Sequence, residues 1–434
     1  MNKTMFFLIG CALMASPVAA QKKWSLNDCI DHALQHNISI QKAKNRIQTQ
    51  GINLKESKGA LLPSLTANLQ QGFGWNPIAE GSGSHTSYTG SYGVSAAWTV
   101  WNAGRNRLNI ESAEKDVAMS ELALQASGNN IVEQIAGLYV QILYMQEAAK
   151  VNEALLAQDS TIYARGEDMV KHGQMSRSDL TQLEAQVADG RYAVVNTRTQ
   201  IDQVKLQLKQ LLELAPEDEI EVATAELADA KALRLVPNKM DVYENALALR
   251  PEVKSGQLAI EQSEISTRIA EGRRLPSVSL TGSLGDSHMS GSSRSLGTQL
   301  RNNLAANVGL GVSIPIFDNR QSRSAIERAK VAEVTAALDL EDTKKQLYQS
   351  VESYWLSATN NQQKFVAARK SVESANMTYE LINDQFNLGT KNVVELLQSR
   401  ANLLNAKQQM LQDKYTAVLN MMLLDFYNSG EMTF

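Results

Sequence analysis

Apolar residues recur at alternating steps of four and three positions along two very long stretches of the chain. In the second stretch eleven of twelve seam positions are apolar, namely Leu347, Val351, Tyr354, Ala358, Phe365, Ala368, Val372, Ala375, Tyr379, Ile382 and Phe386, with Asn361 as the exception. In the same frame of the first stretch, from Ile131 to Val170, nine of twelve are apolar. A sustained 3.5-residue repeat forces helices into a left-handed supercoil. The pattern therefore predicts long coiled-coil helices.

Breaks in this pattern indicate where the helices end. Residues 317–428 contain no proline, and their only glycine is Gly389, as expected for a residue that ends a helix. The predicted helices span about 26–60, 105–171, 175–214, 239–273, 321–387 and 391–428. At ~1.5 Å per residue, a long helix measures roughly 100 Å and a short one roughly half of that. We therefore expect each long helix to lie beside two short helices stacked end to end.

Four further segments alternate apolar and small polar residues with a period of two, which predicts β-strands. They span about 64–73, 88–101, 277–285 and 304–317. Lengths of ~9–13 residues suit a bilayer crossed at a tilt, and the small polar face suits a wet lumen. Trp98, Trp101 and Phe317 suit an aromatic girdle at the membrane interface. Alternation alone also fits the strands of a soluble sandwich.

The sequence contains an internal repeat. Leu62-Pro63-Ser64 recurs as Leu275-Pro276-Ser277, 213 residues further on. Tyr163, Gly173 and Leu180 recur as Tyr379, Gly389 and Leu396, 216 residues further on. We predict a tandem duplication over 21–236 and 237–434, each copy containing a helix, two strands, a long helix and a shorter helix. A period this long indicates a duplicated half rather than a solenoid repeat.

The N-terminus predicts export. Residues 1–20 combine Lys3, an apolar run and a small-residue cleavage site at Val18-Ala19-Ala20, which indicates a signal peptide. Cys11 lies in a segment that also resembles a lipoprotein box, so lipidation is the alternative. Apart from Cys11 the only cysteine is Cys29, which excludes a disulfide scaffold and a Cys-rich metal site.

Charge and motifs exclude several classes of function. Lys and Arg total 42 against 46 acids, and this net charge of −4 argues against nucleic acid as a partner. His32 and His36 lie one helical turn apart, but Ala33 stands where a zincin needs Glu, so a zinc site is disfavoured. We find no catalytic residues, expect no metal or cofactor, and predict that the protein is not an enzyme.

Four strands cannot close a barrel, because lipid-exposed sheet edges do not occur and known barrels begin at eight strands. The chain must therefore share a barrel with copies of itself. A dimer, a trimer and a tetramer would supply 8, 12 and 16 strands, and the strand count does not choose among them.

Together these features resemble the TolC family of outer-membrane efflux and secretion channels. The resemblance rests on Trp101-Asn102-Ala103-Gly104-Arg105, Pro315-Ile316-Phe317-Asp318, the Leu-Pro-Ser turns and the glycine-centred tips. It implies an α+β membrane protein: a homotrimer with a 12-strand transmembrane β-barrel and a long coiled-coil helical barrel in the periplasm of a Gram-negative bacterium.

The resemblance also implies a function and partners. Such a duct is the outer-membrane exit of a tripartite efflux pump or a type I secretion system. It docks to a periplasmic adaptor and an inner-membrane transporter of the RND, ABC or MFS type, and it contacts outer-membrane lipid. Arg105 and Arg320, which follow strands, suit contact with lipid phosphates, although ordinary surface charge explains them equally well.

The two glycine-centred tips are the candidate functional site. Gly173 and Gly389 allow a left-handed turn, and Ser176 and Asn392 suit helix N-caps, with Ser176-x-x-Asp179 resembling a capping box. A purely structural role as helix turns explains these residues as well as a role in docking an adaptor does.

In TolC-like proteins the tips close the periplasmic mouth with acidic rings and polar links. Matching by the glycine, Asp179 and Glu395 take the places of ring acids. Gln398 stands where a second ring acid is expected. Lys391 replaces a linking Arg and Phe386 a linking Tyr, so the links of this gate differ from those of the family.

Two other functions compete with a duct. A periplasmic coiled-coil scaffold or adaptor would need the long helices and no barrel. A secreted enzyme that uses the histidines would need a concave site, for which the sequence offers no residues.

Overall fold

The computed structural model describes residues 23–75, 77, 86–223, 228–290, 292 and 294–432. The predicted signal peptide, which includes Cys11, and residues 224–227, near the end of the first predicted copy, lie outside these ranges. No helix in the described part is both long enough and apolar enough to cross a bilayer.

Ten helices and six strands make up this part of the chain. The helices are α1 Leu26–His36, α2 Ile38–Gly59, α3 Arg105–Lys171, α4 Arg177–Leu211, α5 Asp229–Ala232, α6 Lys239–Leu249, α7 Pro251–Gly272, α8 Leu296–Asn302, α9 Gln321–Asn387 and α10 Val393–Ser429. The strands are β1 Lys23–Trp24, β2 Ser64–Trp75, β3 Thr86–Trp101, β4 Glu221–Val222, β5 Ser277–Met289 and β6 Ala305–Ser313.

The long helices α3 and α9 each contain 67 residues, with the bounds that the heptad pattern predicted. Two short helices, α2 and α4, pack along α3, and α7 and α10 pack along α9. The two series join because α3 also packs against α7 and α10. The seam residues Val351, Ala358 and Phe365 are fully buried, as a coiled-coil core requires.

The helix predicted at 26–60 is instead two helices that meet at Asn37, and the helix predicted at 239–273 is two that meet at Arg250. Asn37 is extended and caps α2, because its Oδ1 accepts a hydrogen bond from the Ser39 amide at 2.8 Å. Arg250 precedes Pro251, and the ring of a proline disfavours the helical conformation in the residue before it.

Both joints tie the short helices together. Asn37 Nδ2 donates to the carbonyl oxygen of Leu211, the last residue of α4, at 2.9 Å. Arg250 pairs with Glu133 of α3 at 3.1 Å, and its guanidinium carbon lies 3.5 Å from the ring centroid of Tyr427 in α10. In the first copy a polar side chain thus joins the end of α4 to the start of α2. In the second copy another joins the end of α10 to the start of α7.

The larger sheet is antiparallel, in the order β2-β3-β5-β6. Strands β2 and β3 match the predicted segments to within two residues, and β5 continues four residues past its predicted end. Strand β6 ends at Ser313, and residues 314–317 continue as irregular chain. Pro315 has no amide hydrogen for a ladder, which fits this end. The connection from β5 to β6 contains the short helix α8, capped by Ser295. The short strands β1 and β4 form a separate parallel pair.

Candidate functional site

The sheet has two chemically different faces. Residues opposite one another in the register, such as Leu69 and Tyr92 or Leu280 and Leu310, place their side chains on one face. That face carries large apolar side chains that are exposed, among them Leu65, Leu69, Phe73, Val94, Leu284, Val308, Leu310 and Val312. The other face consists mainly of small and polar residues, for example Asn68, Ser95, Ser283 and Asn307. Exposed apolar bands of this kind suit lipid, and small polar faces suit a water-filled lumen.

Among the described residues no strand pairs with the outer edge of β2 or of β6, and these two edges coincide with the edges of the helical layer. Strand β2 continues from α2, and strand β6 leads into α9. These two strands are the edge strands, and α9 lies at one side of the helical layer with α2 and α4 at the other. An edge strand has unpaired backbone groups, which need a partner strand inside a membrane.

Exposed apolar side chains also follow the outer helices. On α9 they are Val331, Val334, Leu338, Val366, Met377 and Leu381, and on α2 and α4 they are Ile52, Tyr192, Val195 and Leu206. We call these sets the α9 stripe and the α2/α4 stripe. Because they lie at opposite sides of one protomer, they can meet only between copies, head to tail, which generates a ring when the rotation closes.

The two tips have the same backbone construction. At tip one, Gly173 has φ +72°, and the amides of Gly173 and Gln174 donate to the carbonyls of Val170 and Met169. At tip two, Gly389 has φ +74°, with matching bonds from Gly389 and Thr390. These are Schellman motifs, in which a left-handed residue satisfies the last carbonyls of the helix.

Helix caps then start the returning helices. The Ser176 hydroxyl accepts from the Asp179 amide at 3.0 Å and lies 2.8 Å from the Asp179 carboxylate. Asn392 Oδ1 accepts from the Glu395 amide at 2.9 Å. The predicted caps are therefore present. The Asp179 carboxylate meets the Ser176 hydroxyl, whereas a full capping box has a bond to the backbone amide of the cap.

The structure brings only some of the predicted gate residues together. Lys391 Nζ pairs with Glu395 Oε2 at 2.5 Å within tip two, so part of the acid charge there is neutralised. Gln398 is exposed and donates to Asn402 at 3.2 Å. Phe386, expected at the position of a polar link, is only 3% exposed and packs in the apolar core of the tip. Its ring is apolar, and burying it stabilises the tip.

Sequence reasoning missed a buried ion pair above the tips. Arg400 of α10 reaches Asp159 of α3 through two bonds, Nε to Oδ1 at 3.0 Å and Nη2 to Oδ2 at 2.6 Å. Both side chains are buried, and Gln186 of α4 lies within hydrogen-bonding distance of each. Burial raises the pKa of the Asp159 carboxyl, and Arg400 opposes this effect. The signal available in the sequence was Asp159 itself, an acid at a seam position of the coiled coil. Seam positions are buried, and a buried carboxylate needs a cation.

The predicted interface residues lie where the strands meet the helices. The Trp98 indole donates to the Leu61 carbonyl at 2.9 Å. Trp101 and Phe317 are exposed at the base of the sheet. Arg105 Nε donates to the Asn102 carbonyl at 3.1 Å, which ties this side chain to its own turn, whereas Arg320 is exposed.

The rejected histidine site gains no support from the structure. The rings of His32 and His36 stack with centroids 4.1 Å apart. Within the described residues, no group of three His, Cys, Asp or Glu side chains is placed to hold a metal ion.

Comparison with known proteins gives the same assignment across the chain. The family described as "Outer membrane efflux protein" matches residues 29–213 and 242–423. The outer membrane efflux protein BepC of Brucella suis is 20% identical, covering 95% of this chain and 88% of its own. TolC of Escherichia coli K12 is 23% identical, covering 97% and 85%.

Solved structures agree with the fold. A crystal structure of CusC superposes with a TM-score of 0.80 at 18% identity, covering 94% of this chain and 92% of CusC. The predicted fold class, with long paired helices below a four-stranded sheet, is therefore confirmed. Members of the matched family form trimeric channels in the outer membrane, with their helical part in the periplasm. This chain belongs to the outer membrane efflux protein family.

Proposed function

We propose that three copies of this chain form a passive exit duct that carries cargo from a periplasmic pump assembly to the outside of the cell. One observation carries the proposal: the sheet has a lipid-suited face, a water-suited face and two open edges that continue into the two sides of the helical layer. Three such sheets, joined β6 to β2, would make a 12-strand barrel. The α9 stripe of one copy would then face the α2/α4 stripe of the next.

The tips supply the gate in this proposal. Asp179 and Glu395 lie at the ends of the helical part, where a ring of three copies would narrow. Because Lys391 pairs with Glu395, Asp179 carries most of the uncompensated negative charge of these two acids. Such a ring favours cations. The turns at Gly173 and Gly389 present the surface for a periplasmic adaptor, and the adaptor links the duct to an inner-membrane transporter.

Cargo and pump class follow from the partners rather than from this chain. Efflux of small molecules and type I secretion of peptides or proteins both need a passive duct. A scaffold without a barrel is disfavoured, because it would leave the apolar face and both edges of the sheet exposed to water.

Disulfide trapping tests the β6 to β2 junction. Asn68→Cys on β2 and Asn307→Cys on β6 place thiols on the small polar face of the two edge strands, and neighbouring positions of that face, Thr66 and Gly309, allow for a shift in register. We expect oxidation of outer membranes to give covalent trimers. Asn68→Cys with Ser283→Cys, on the inner strand β5, is the control and should stay monomeric. Monomers from every edge pair, with the protein in the soluble periplasmic fraction, would refute the duct.

A further inference from the structure

The second copy concentrates arginines where its strands meet its helices. The set, which we call the arginine cluster, comprises Arg273, Arg274, Arg320, Arg323 and Arg328. Three of them, Arg273, Arg320 and Arg328, line a surface hollow together with Asp318, Ser322 and Ser324. The residues of this hollow belong neither to the predicted gate nor to the α9 stripe or the α2/α4 stripe defined above.

The first copy provides an internal comparison. When the two copies are aligned on their shared motifs, the five arginines correspond to Ala60, Leu61, Gly104, Arg107 and Ser112. Only Arg107 keeps the charge. The two copies share the lengths of their long helices and the same turn from strand to helix. The arginine cluster is therefore a chemical difference between the copies that their shared architecture does not require.

The backbone at Arg320 supports a role for its side chain. Arg320 has φ +68°, and the equivalent Gly104 has φ +75°. The left-handed conformation costs a residue with a Cβ roughly 1 kcal/mol and costs glycine nothing. Glycine would thus fit this turn better. The chain nevertheless places an arginine here, which points to the guanidinium rather than to the turn.

The charges of the hollow are only partly compensated. Glu327 pairs with Arg320 at 3.5 Å and with Arg323 at 3.1 Å, and Asp318 Oδ2 accepts from the Ser322 amide at 2.8 Å. Arg273 and Arg328 have no ion-pair partner among the residues that the structure describes. The hollow therefore keeps positive charge and hydroxyl donors for an anion.

The surroundings indicate which anion. Ile314, Ile316 and Phe317 are 61%, 95% and 84% exposed, and they lie in the chain between β6 and Asp318 of the hollow. This order, apolar side chains and then arginines, matches the order of acyl chains and headgroups in a lipid leaflet. At that boundary an arginine buries its aliphatic stem and extends its guanidinium to the headgroups. The guanidinium fork matches the geometry of a phosphate.

We propose that the hollow binds the phosphate headgroup of an anionic phospholipid in the periplasmic leaflet of the outer membrane, once per protomer. The inference rests on the proposed function, because it requires the sheet to lie in the membrane. It assigns lipid selectivity to the second copy.

Native mass spectrometry of the detergent-purified full-length trimer tests this assignment. Phosphatidylglycerol and phosphatidylcholine with the same acyl chains are titrated separately. We expect up to three tightly bound phosphatidylglycerol molecules per wild-type trimer, and weaker binding of phosphatidylcholine. Arg273→Gln with Arg328→Gln should weaken phosphatidylglycerol binding about tenfold, equivalent to ~1.4 kcal/mol. Arg294→Gln with Arg301→Gln removes the same charge at the opposite end of the sheet and should leave binding unchanged.

Three results would overturn the proposal: equal affinity for both lipids, unchanged binding in the Arg273/Arg328 variant, or equal loss in the control variant. Displacement of the lipid by millimolar inorganic phosphate would instead identify a site for free phosphate, which also contradicts it. Ionic current through the same preparations separates this outcome from failure of the duct. Conducting trimers without lipid preference refute only the lipid site, whereas absent current refutes the duct.

Discussion

At the residue scale, the Asp159–Arg400 pair shows how one polar contact can join two parts of the molecule. The two side chains belong to different long-helix pairs, α3/α4 and α9/α10, and they meet just above the apolar core of the tips. Tyr379 of α9 and Gln186 of α4 line the same pocket, so four helices converge on this pair. Removing one partner of a buried pair is costly, because the other charge remains buried. The pair thus links the helices of one tip directly to those of the other.

Arg400→Gln should loosen the tips, and the effect should grow with pH. Without Arg400, burial raises the pKa of Asp159 further above its value in the unfolded chain. A group with a raised folded-state pKa stabilises the fold below its unfolded pKa and loses that contribution as pH rises through the folded pKa. We expect a local deficit of about 3 kcal/mol near pH 8 that shrinks toward pH 5.

Hydrogen exchange of residues 155–163 and 396–404, measured by mass spectrometry at both pH values, checks this. The control is Arg198→Gln, which removes the exposed pair with Glu153 and should change exchange little. A deficit that is constant with pH, or one that grows on acidification, would show that Asp159 does not titrate as described.

At the element scale, the joints at Asn37 and Arg250 stand at equivalent positions of the two copies. Each joint separates two short helices. Asn37 bonds to the end of α4, and Arg250 packs against the end of α10. The chemistry differs: an amide bonds to a carbonyl in one copy, and a guanidinium stacks on an aromatic ring in the other. In both cases the joint lets two short helices follow one long helix.

Asn37→Ala should open the first joint. It removes the cap of α2 and leaves the Leu211 carbonyl without its donor, at a local cost of about 1–2 kcal/mol. Hydrogen exchange in residues 38–42 and 208–213 should then be roughly tenfold faster. Asn45→Ala, on the exposed surface of α2, is the matched control. Unchanged exchange at the joint would mean that packing alone holds the two helices in line.

Sequence patterns predicted the long elements well, because a heptad seam and a period of two depend on many residues. The bounds of α3 and α9 followed from the seam and from the glycines at the tips. The joint at Asn37 did not, because a single asparagine also occurs inside helices and its bond to Leu211 spans 174 residues. Likewise, the partner of Asp159 lies 241 residues away, and the seam pattern gives no such pairing. The alignment by glycine gave Phe386 a place in the gate, whereas the seam pattern, which also includes Phe386, agrees with its burial.

At the scale of the whole molecule, each open edge of the sheet lies on the same side of the protomer as one outer side of the helical layer. This arrangement makes every protomer incomplete in the same way, since β2 with the α2/α4 stripe complements β6 with the α9 stripe. Head-to-tail contacts of this kind close a ring only at a fixed number of copies. Members of the matched family assemble as trimers.

Charge in the α9 stripe should prevent this closure. Leu338→Glu with Leu381→Glu places one carboxylate in each half of the stripe, where the neighbouring copy would bury it. We expect trimers to dissociate to monomers in size-exclusion chromatography with light scattering, in mild detergent. Leu235→Glu, at a leucine that is 89% exposed outside both stripes, should leave trimers intact. Intact trimers in the double variant would place the contact elsewhere.

The most direct test of the duct is ionic current through the purified trimer in a planar bilayer. In the proposed duct the tips narrow the periplasmic mouth and Asp179 adds negative charge there, so wild type should give small, cation-selective steps. Asp179→Asn with Glu395→Gln should reduce the cation selectivity and raise the conductance of each step. Trimers that insert but give no steps above a detergent blank, in wild type and variant alike, would contradict the duct.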